Sequence, residues 1–315
     1  MNILAIIGPL VLLALMGFIC TKSRWLDKSQ LDALSKFTFS ISIPAFLFYQ
    51  MANANFSEQV NFSLFAAFYV PVLFCFCLAL ALNALVKKRN KISEHNSEDY
   101  QSNAVFALGA SYSNTVIVGL PVLLAAFGQQ VLGIVFLVIS FHSAMLFALT
   151  AAIASKEQCK LSQFDLIKFL KQTFNNPLII SIFSGLIVNL FAIDLPEILD
   201  TSLELLGKPA ITLALFILGA SLSFYRVSNK INTIALATIV KLLILPALVY
   251  FSALYVFNLN TLVTTTLVIL SASPTGVNAY LIALQQKSQQ ELVAGTVVVS
   301  TLLSTLTIPL WLLAL

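Results

Sequence analysis

Apolar residues run along this chain in long uninterrupted blocks, and polar residues collect in the short stretches between them. Blocks of about 20 residues suffice for a helix to cross roughly 30 Å of hydrocarbon at about 1.5 Å per residue. Alternation at strand period is absent, which speaks against a β-barrel. The pattern predicts helices at 3–21, 32–53, 60–86, 102–127, 129–155, 176–194, 201–225, 231–257, 259–286 and 289–314. The expected fold class is therefore all-α integral membrane, with ten transmembrane helices.

The connecting stretches sort by charge. Those after the first, third, fifth, seventh and ninth helices hold Lys22, Arg24 and Lys28, then Lys87, Lys88, Arg89 and Lys91, then Lys156, Lys160, Lys168 and Lys171, then Arg226 and Lys230, and last Lys287. "NANFSEQVN" and "AIDLPEILD" on the other side have acids but no Lys or Arg. Positive loops stay in the cytoplasm, so a multi-pass protein of the cell (inner) membrane with both termini outside is expected. With five helices per half, the halves 1–155 and 176–315 would be inserted upside-down relative to each other. The linker 156–175 contains "LSQFDLIKFLKQTF" at 161–174, whose apolar residues recur at helical spacing between lysines and predict an amphipathic surface helix.

Internal similarity supports two repeats. "GPLVLLALMG" around Pro9 resembles "NPLIISIFSG" around Pro177, 168 positions on. "LDALSK" at 31–36 recurs as "LELLGK" at 203–208, an offset of 172, and Pro71 matches Pro246 at 175. Ser113-Asn114-Thr115 aligns with Ser273-Pro274-Thr275 at 160. Inverted repeats mark transporters, because two related halves can exchange conformations between outward-open and inward-open states.

Two apolar segments carry residues that weaken a helix: "GASYSNTVIVGLPVLLAAFG" at 109–128 and "LSASPTGVNAYLIALQ" at 270–285. Pro121 and Pro274 each remove a hydrogen bond, and Gly109, Gly119 and Gly276 weaken what remains. Open backbone within a bilayer survives only where it is buried in protein or lines a wet cavity. Crossed breaks at equivalent repeat positions would present half-helix N-termini, whose N–H groups and dipole attract carboxylates. The expected substrate ligands are Asn114 and Asn278, with Ser111, Ser113, Thr115, Ser273 and Thr275 adding hydroxyls and Pro121 and Pro274 shaping the backbone.

Composition narrows the chemistry. Of 315 residues 59% are hydrophobic and 10% charged, with mean hydropathy +0.95. The net charge of +4 comes without an aromatic-interleaved basic patch, so no nucleic-acid partner is expected. The 13 acids all fall in predicted loops or at helix ends, which argues against a buried-carboxylate proton relay or an acidic metal pair. Cys20, Cys75, Cys77 and Cys159 are too scattered for a metal site or a disulfide framework, and no cofactor is implied. Lys241 lies inside the eighth helix. It snorkels to the interface, bonds carbonyls freed near Pro246, or adds positive potential near an anionic substrate. His142 is a buried packing residue or a proton carrier.

"SISIPAFLFYQMA", "GASYSNTVIVGLPVLLAAFG", "LGKPAITLALFILGASLS", "KLLILPAL" and "SASPTGVNAYLIALQ" together resemble the auxin efflux carrier family, whose bacterial members include proteins assigned to malate and related carboxylates. The resemblance implies a ten-helix fold of two inverted five-helix repeats, shared in outline with bile-acid sodium symporters. It also implies a dimerising scaffold of helices one, two, six and seven, and a moving transport domain of helices three to five and eight to ten. The substrate site at the crossing of helices four and nine carries over onto Asn114, Pro121, Pro274 and Asn278. The chain is thus expected to be a secondary transporter of a small organic carboxylate, a homodimer through its scaffold. Sodium coupling through crossover carbonyls, and a membrane-embedded enzyme or sensor, are the alternatives.

Overall fold

The structure, a computed structural model, describes residues 3–54, 62–89, 98–154, 177–225, 228 and 230–315; the amphipathic helix expected at 161–174 lies outside them. Among the described residues all named elements are helical. α1 spans Ile3–Lys22. Asp27 opens the next helix: its Oδ1 accepts from the Gln30 backbone N–H at 2.8 Å, and the Gln30 side chain accepts from the Asp27 N–H at 3.0 Å. This reciprocal cap satisfies two donors that would otherwise face no partner, and it starts α2 (Lys28–Phe37) ahead of the expected residue 32. A π-helical turn over Thr38–Ser42 leads into α3 (Ile43–Ala52). Then come α4 (Phe62–Arg89), α5 (Glu98–Ser111), a π-turn over Thr115–Gly119, α6 (Leu120–Phe127) and α7 (Leu132–Ala154). The second half holds α8 (Pro177–Leu190), α9 (Glu197–Gly207), α10 (Ala210–Leu222), α11 (Ile231–Ile239), a π-turn over Val240–Ile244 and α12 (Leu245–Phe251). It ends with α13 (Thr261–Ala272), α14 (Val277–Gln285) and α15 (Gln290–Ala314).

Seven of the described stretches are long and apolar enough to cross a membrane. One of them, Thr115–Ala154, has 40 residues, about two crossings' worth, and Gly128 at φ 70° divides it. The helices Pro177–Leu190 and Thr261–Ala272 are apolar but shorter.

Prolines explain three of the four π-turns among the described residues; the fourth, over Ser252–Val256, has none two residues beyond it. Pro44, Pro121 and Pro246 each stand two residues beyond a π-turn, which ends at Ser42, Gly119 and Ile244 respectively. A proline ring clashes with the carbonyl four residues back, and widening the preceding turn by one residue relieves that clash without ending the helix.

The chain divides into two units that do not follow chain order. The first takes the described residues of Met1–Val60, Leu120–Phe136 and Leu170–Phe224. Its most extensive helix contacts are α1 with α10 and α3 with α8. A Cβ on Gly17 would run into the Phe216 carbonyl, and one on Gly185 would come within 2.6 Å of the Phe48 carbonyl, so glycine is needed for backbones to pass this closely. Thr21 Oγ1 donates to the Ala220 carbonyl at 3.2 Å, and Asn189 Nδ2 to the Ala52 carbonyl at 2.8 Å. The two pairs repeat one arrangement at a constant offset of 168: 17 with 185, 48 with 216, 21 with 189, 52 with 220. That is the offset between Pro9 and Pro177.

The second unit takes the described residues of Asn61–Gly119, Leu137–Phe169 and Tyr225–Leu315. Phe68, Phe76, Phe106, Leu108 and Leu267 are fully buried in it. Tyr69 Oη donates to the Val138 carbonyl at 2.7 Å and Trp311 Nε1 to the Leu242 carbonyl at 3.1 Å, so the polar ends of these two aromatics have partners. Outward faces are apolar in both units. Leu12, Leu15, Met16 and Ile19 on α1, and Leu302, Leu306, Leu310 and Leu313 on α15, are exposed at helical spacing, a surface suited to lipid.

Candidate functional site

α5 stops at Ser111 and α13 at Ala272, each inside an apolar stretch, and helical structure resumes at Thr115 and Val277. Between the stops Ser113 and Thr275 pair as a single antiparallel bridge. The Asn114 N–H donates to the Pro274 carbonyl at 2.8 Å, and the Gly276 N–H to the Tyr112 carbonyl at 3.1 Å. Ser113 Oγ donates to the Ser271 carbonyl at 3.4 Å, and Thr275 Oγ1 to the Gly109 carbonyl at 2.8 Å. Ser111 and Ser273 turn their hydroxyls back onto the carbonyls of Ala107 and Ile269, at 2.7 and 3.0 Å. Each bond has a counterpart 162 positions along the chain: 107 with 269, 109 with 271, 111 with 273, 112 with 274, 113 with 275, 114 with 276. The alignment expected from sequence, at 160, is therefore corrected by two residues. Ser113 is the counterpart of Thr275, not of Ser273.

The bridge residues' own N–H groups point away from the pairing and are met from other helices. Ser113 donates to His142 Nε2 at 2.9 Å and Thr275 to Ser300 Oγ at 3.0 Å. Both N–H groups of the bridge pair thus have partners despite the nonpolar setting. Close approach explains the glycines: a Cβ on Gly276 would meet the Tyr112 ring, with Cδ1 at 2.7 Å, and one on Gly119 would meet Ser273 Oγ at 2.8 Å.

Two buried side-chain donors at the crossing are without acceptors. Asn114 caps the turn that follows it, its Oδ1 accepting from the Ile117 N–H at 3.3 Å, while its Nδ2 has no partner and the residue is 5% exposed. His142 accepts at Nε2, so its neutral imidazole carries hydrogen on Nδ1, which is buried and has no partner either. The imidazole stacks on Tyr112 at 5.1 Å. The Tyr112 hydroxyl lies 2.7 Å from Ser143 Oγ and accepts from Asn278 Nδ2 at 3.3 Å; Asn278 itself is exposed. α14, whose second residue is Asn278, has no side-chain cap at its N-terminus, so the first-turn N–H groups have no capping side chain.

Of the residues singled out from sequence, Ser113, Asn114, Thr115, Ser273, Pro274 and Thr275 come together at the bridge, and Asn278 joins them through Tyr112. Pro121 does not mark the break: it sits in the first turn of α6, in the first unit, and the helix opens instead at Tyr112–Asn114, where there is no proline. Lys241 is fully buried rather than snorkelling, and its Nζ donates to the Ser271 carbonyl. Sequence reasoning missed Tyr112, Ser143 and Ser300. Their signal is slight, a tyrosine between two serines and single serines in otherwise apolar helices.

Comparison with known proteins gives two likenesses. The family described as "Membrane transport protein" matches residues 3–312. A "Putative malonate transporter" of Rhizobium meliloti (strain 1021) is 23% identical over 282 residues, covering 87% of this chain and 84% of that protein.

Proposed function

Because the chain belongs to the membrane transport protein family, that of the auxin efflux carriers, and is a multi-pass transporter rather than an enzyme, we propose that it moves a small organic dicarboxylate across the cell membrane by alternating access. The observation that carries this reading is the imbalance at the crossing. The carbonyls of Gly109, Tyr112, Ser271 and Pro274 are met by protein donors, whereas Asn114 Nδ2 and His142 Nδ1–H are buried donors with no acceptor. A buried donor without an acceptor costs about 1–3 kcal/mol, and a carboxylate supplies the acceptors. The uncapped start of α14 adds N–H groups and the positive end of a dipole, and Asn278 adds a side-chain amide within reach of solvent. The malonate named for the relative is a compact dicarboxylate and fits that donor set.

In the same reading the interrupted stretches, the divided 40-residue stretch and the short α8 make up ten crossings in two inverted halves. The offsets of 168 in one unit and 162 in the other support such a repeat. The first unit would be the scaffold and dimerisation element, and the second the moving part that carries the cargo. Both termini would face outward.

The test is a thermal-unfolding series on the purified protein with malonate, malate, succinate, monocarboxylates and amines. A ligand that binds only the folded state at about 100 times its Kd adds about 2.7 kcal/mol, so a binding dicarboxylate should raise the Tm by several degrees. Stabilisation by amines and by none of the carboxylates would reject the reading.

A further inference from the structure

Several acceptors of the crossing already have protein donors. The carbonyl of Gly109 takes the Thr275 hydroxyl, that of Tyr112 the Gly276 N–H, that of Ser113 the Thr115 N–H, and that of Pro274 the Asn114 N–H. The Ser271 carbonyl, in the last turn of α13, takes both the Ser113 hydroxyl and the Lys241 ammonium. Lys241 reaches that point from the π-turn Val240–Ile244 that accompanies Pro246, and it is wholly enclosed. Among the described residues no carboxylate acts on it.

The last carbonyls of a helix carry a partial negative charge of about half an electron. In transporters built on interrupted helices, such C-terminal ends and unwound carbonyls are where a coupling cation is held. Here a cation covalently tethered to the neighbouring segment already sits on that end. An enclosed ammonium without a counter-charge costs several kcal/mol, and the carbonyl end of α13 offsets part of that cost.

We propose that Lys241 is the resident cation of the crossing: its ammonium holds the carbonyl end of α13 in the place a coupling sodium would take, so the anion is bound and moved without sodium. This rests on the carboxylate reading only for the cargo. Lys241 is accordingly a positioning residue, fixing the end of α13 from which Ser273, Pro274 and Thr275 depart.

The test is the Tm of the full-length protein in detergent, without carboxylates, at one ionic strength in sodium, lithium, potassium or choline chloride. Wild type should melt within about 1 °C in all four, since a cation that does not bind the native state cannot stabilise it. Lys241→Ala should melt several degrees lower in choline and regain part of the loss in sodium or lithium alone. Lys241→Met, whose chain fills the space, should melt lower with no such recovery. A sodium-specific rise of about 2 °C or more in wild type, or a Lys241→Ala protein that sodium stabilises no better than choline, overturns the proposal. If Lys241→Ala does not fold, dicarboxylate uptake into wild-type proteoliposomes decides: an inward sodium gradient should leave the rate unchanged, and a threefold stimulation overturns the proposal. Failure of the carboxylate reading shows separately, as wild-type protein that no carboxylate stabilises.

Discussion

Ser113 and Thr275 face each other as an antiparallel pair, and each sends its hydroxyl to a carbonyl on the other's helix, Ser113 to Ser271 at 3.4 Å and Thr275 to Gly109 at 2.8 Å. The two bonds are related by the 162-position offset but differ in length, and hydrogen bonds weaken as they lengthen. Thr275→Val, nearly isosteric, should cost about 1–2 kcal/mol, and Ser113→Ala less than about 0.5 kcal/mol. Denaturant or thermal unfolding of the two variants side by side measures the difference.

His142 and Ser300 do one job on opposite sides of the bridge, each accepting a buried backbone N–H. Truncating either acceptor leaves that N–H unsatisfied, so His142→Leu and Ser300→Ala should each lower stability by about 1–3 kcal/mol. His142→Gln keeps a side-chain oxygen able to accept and should lose less. Unfolding midpoints in detergent check the order.

Gly276 is required by the Tyr112 ring. Gly276→Ala should displace that ring from His142 and loosen the Asn278 contact, lowering stability by about 1–3 kcal/mol, as overpacking does, and reducing transport together with it. Tyr112→Phe keeps the ring and loses only the hydroxyl. It should fold with a loss of about 1 kcal/mol yet raise the substrate concentration needed for half-maximal uptake. The pair of variants, compared by Tm and by uptake, separates the ring's packing from its hydroxyl.

The apolar blocks were legible in sequence because crossing a bilayer demands a length that few other constraints produce, and described helices such as Ile231–Val256 keep the expected bounds almost to the residue. The second break was legible through Pro274 and Gly276. The first was displaced in expectation toward Gly119 and Pro121, because a proline need not open a helix when a π-turn can absorb it. What opens the chain at Tyr112–Asn114 is the partnership with residues 274–276, more than 150 positions away, and local sequence carries no direct record of that pairing. The same distance explains the register error of two residues: serine and threonine recur at 111, 113, 115, 271, 273 and 275, so several alignments look equally good until hydrogen bonds choose one. His142, a lone histidine in an apolar helix, reads from sequence as a packed, hydrogen-bonded residue, but its partner is a backbone N–H, which sequence cannot mark.

The buried Asn114 Nδ2, unpaired in the structure, would find its acceptor in a carboxylate of the cargo. Exchange of labelled malonate or malate by proteoliposomes, run with wild type and Asn114→Ala, tests it most directly. The alanine loses the Oδ1 cap on Ile117, worth about 1 kcal/mol, and should still fold. The account predicts saturable dicarboxylate exchange by wild type and a loss of about tenfold or more in the variant, the equivalent of about 1.4 kcal/mol. Exchange by Asn114→Ala at the wild-type rate and affinity would contradict it.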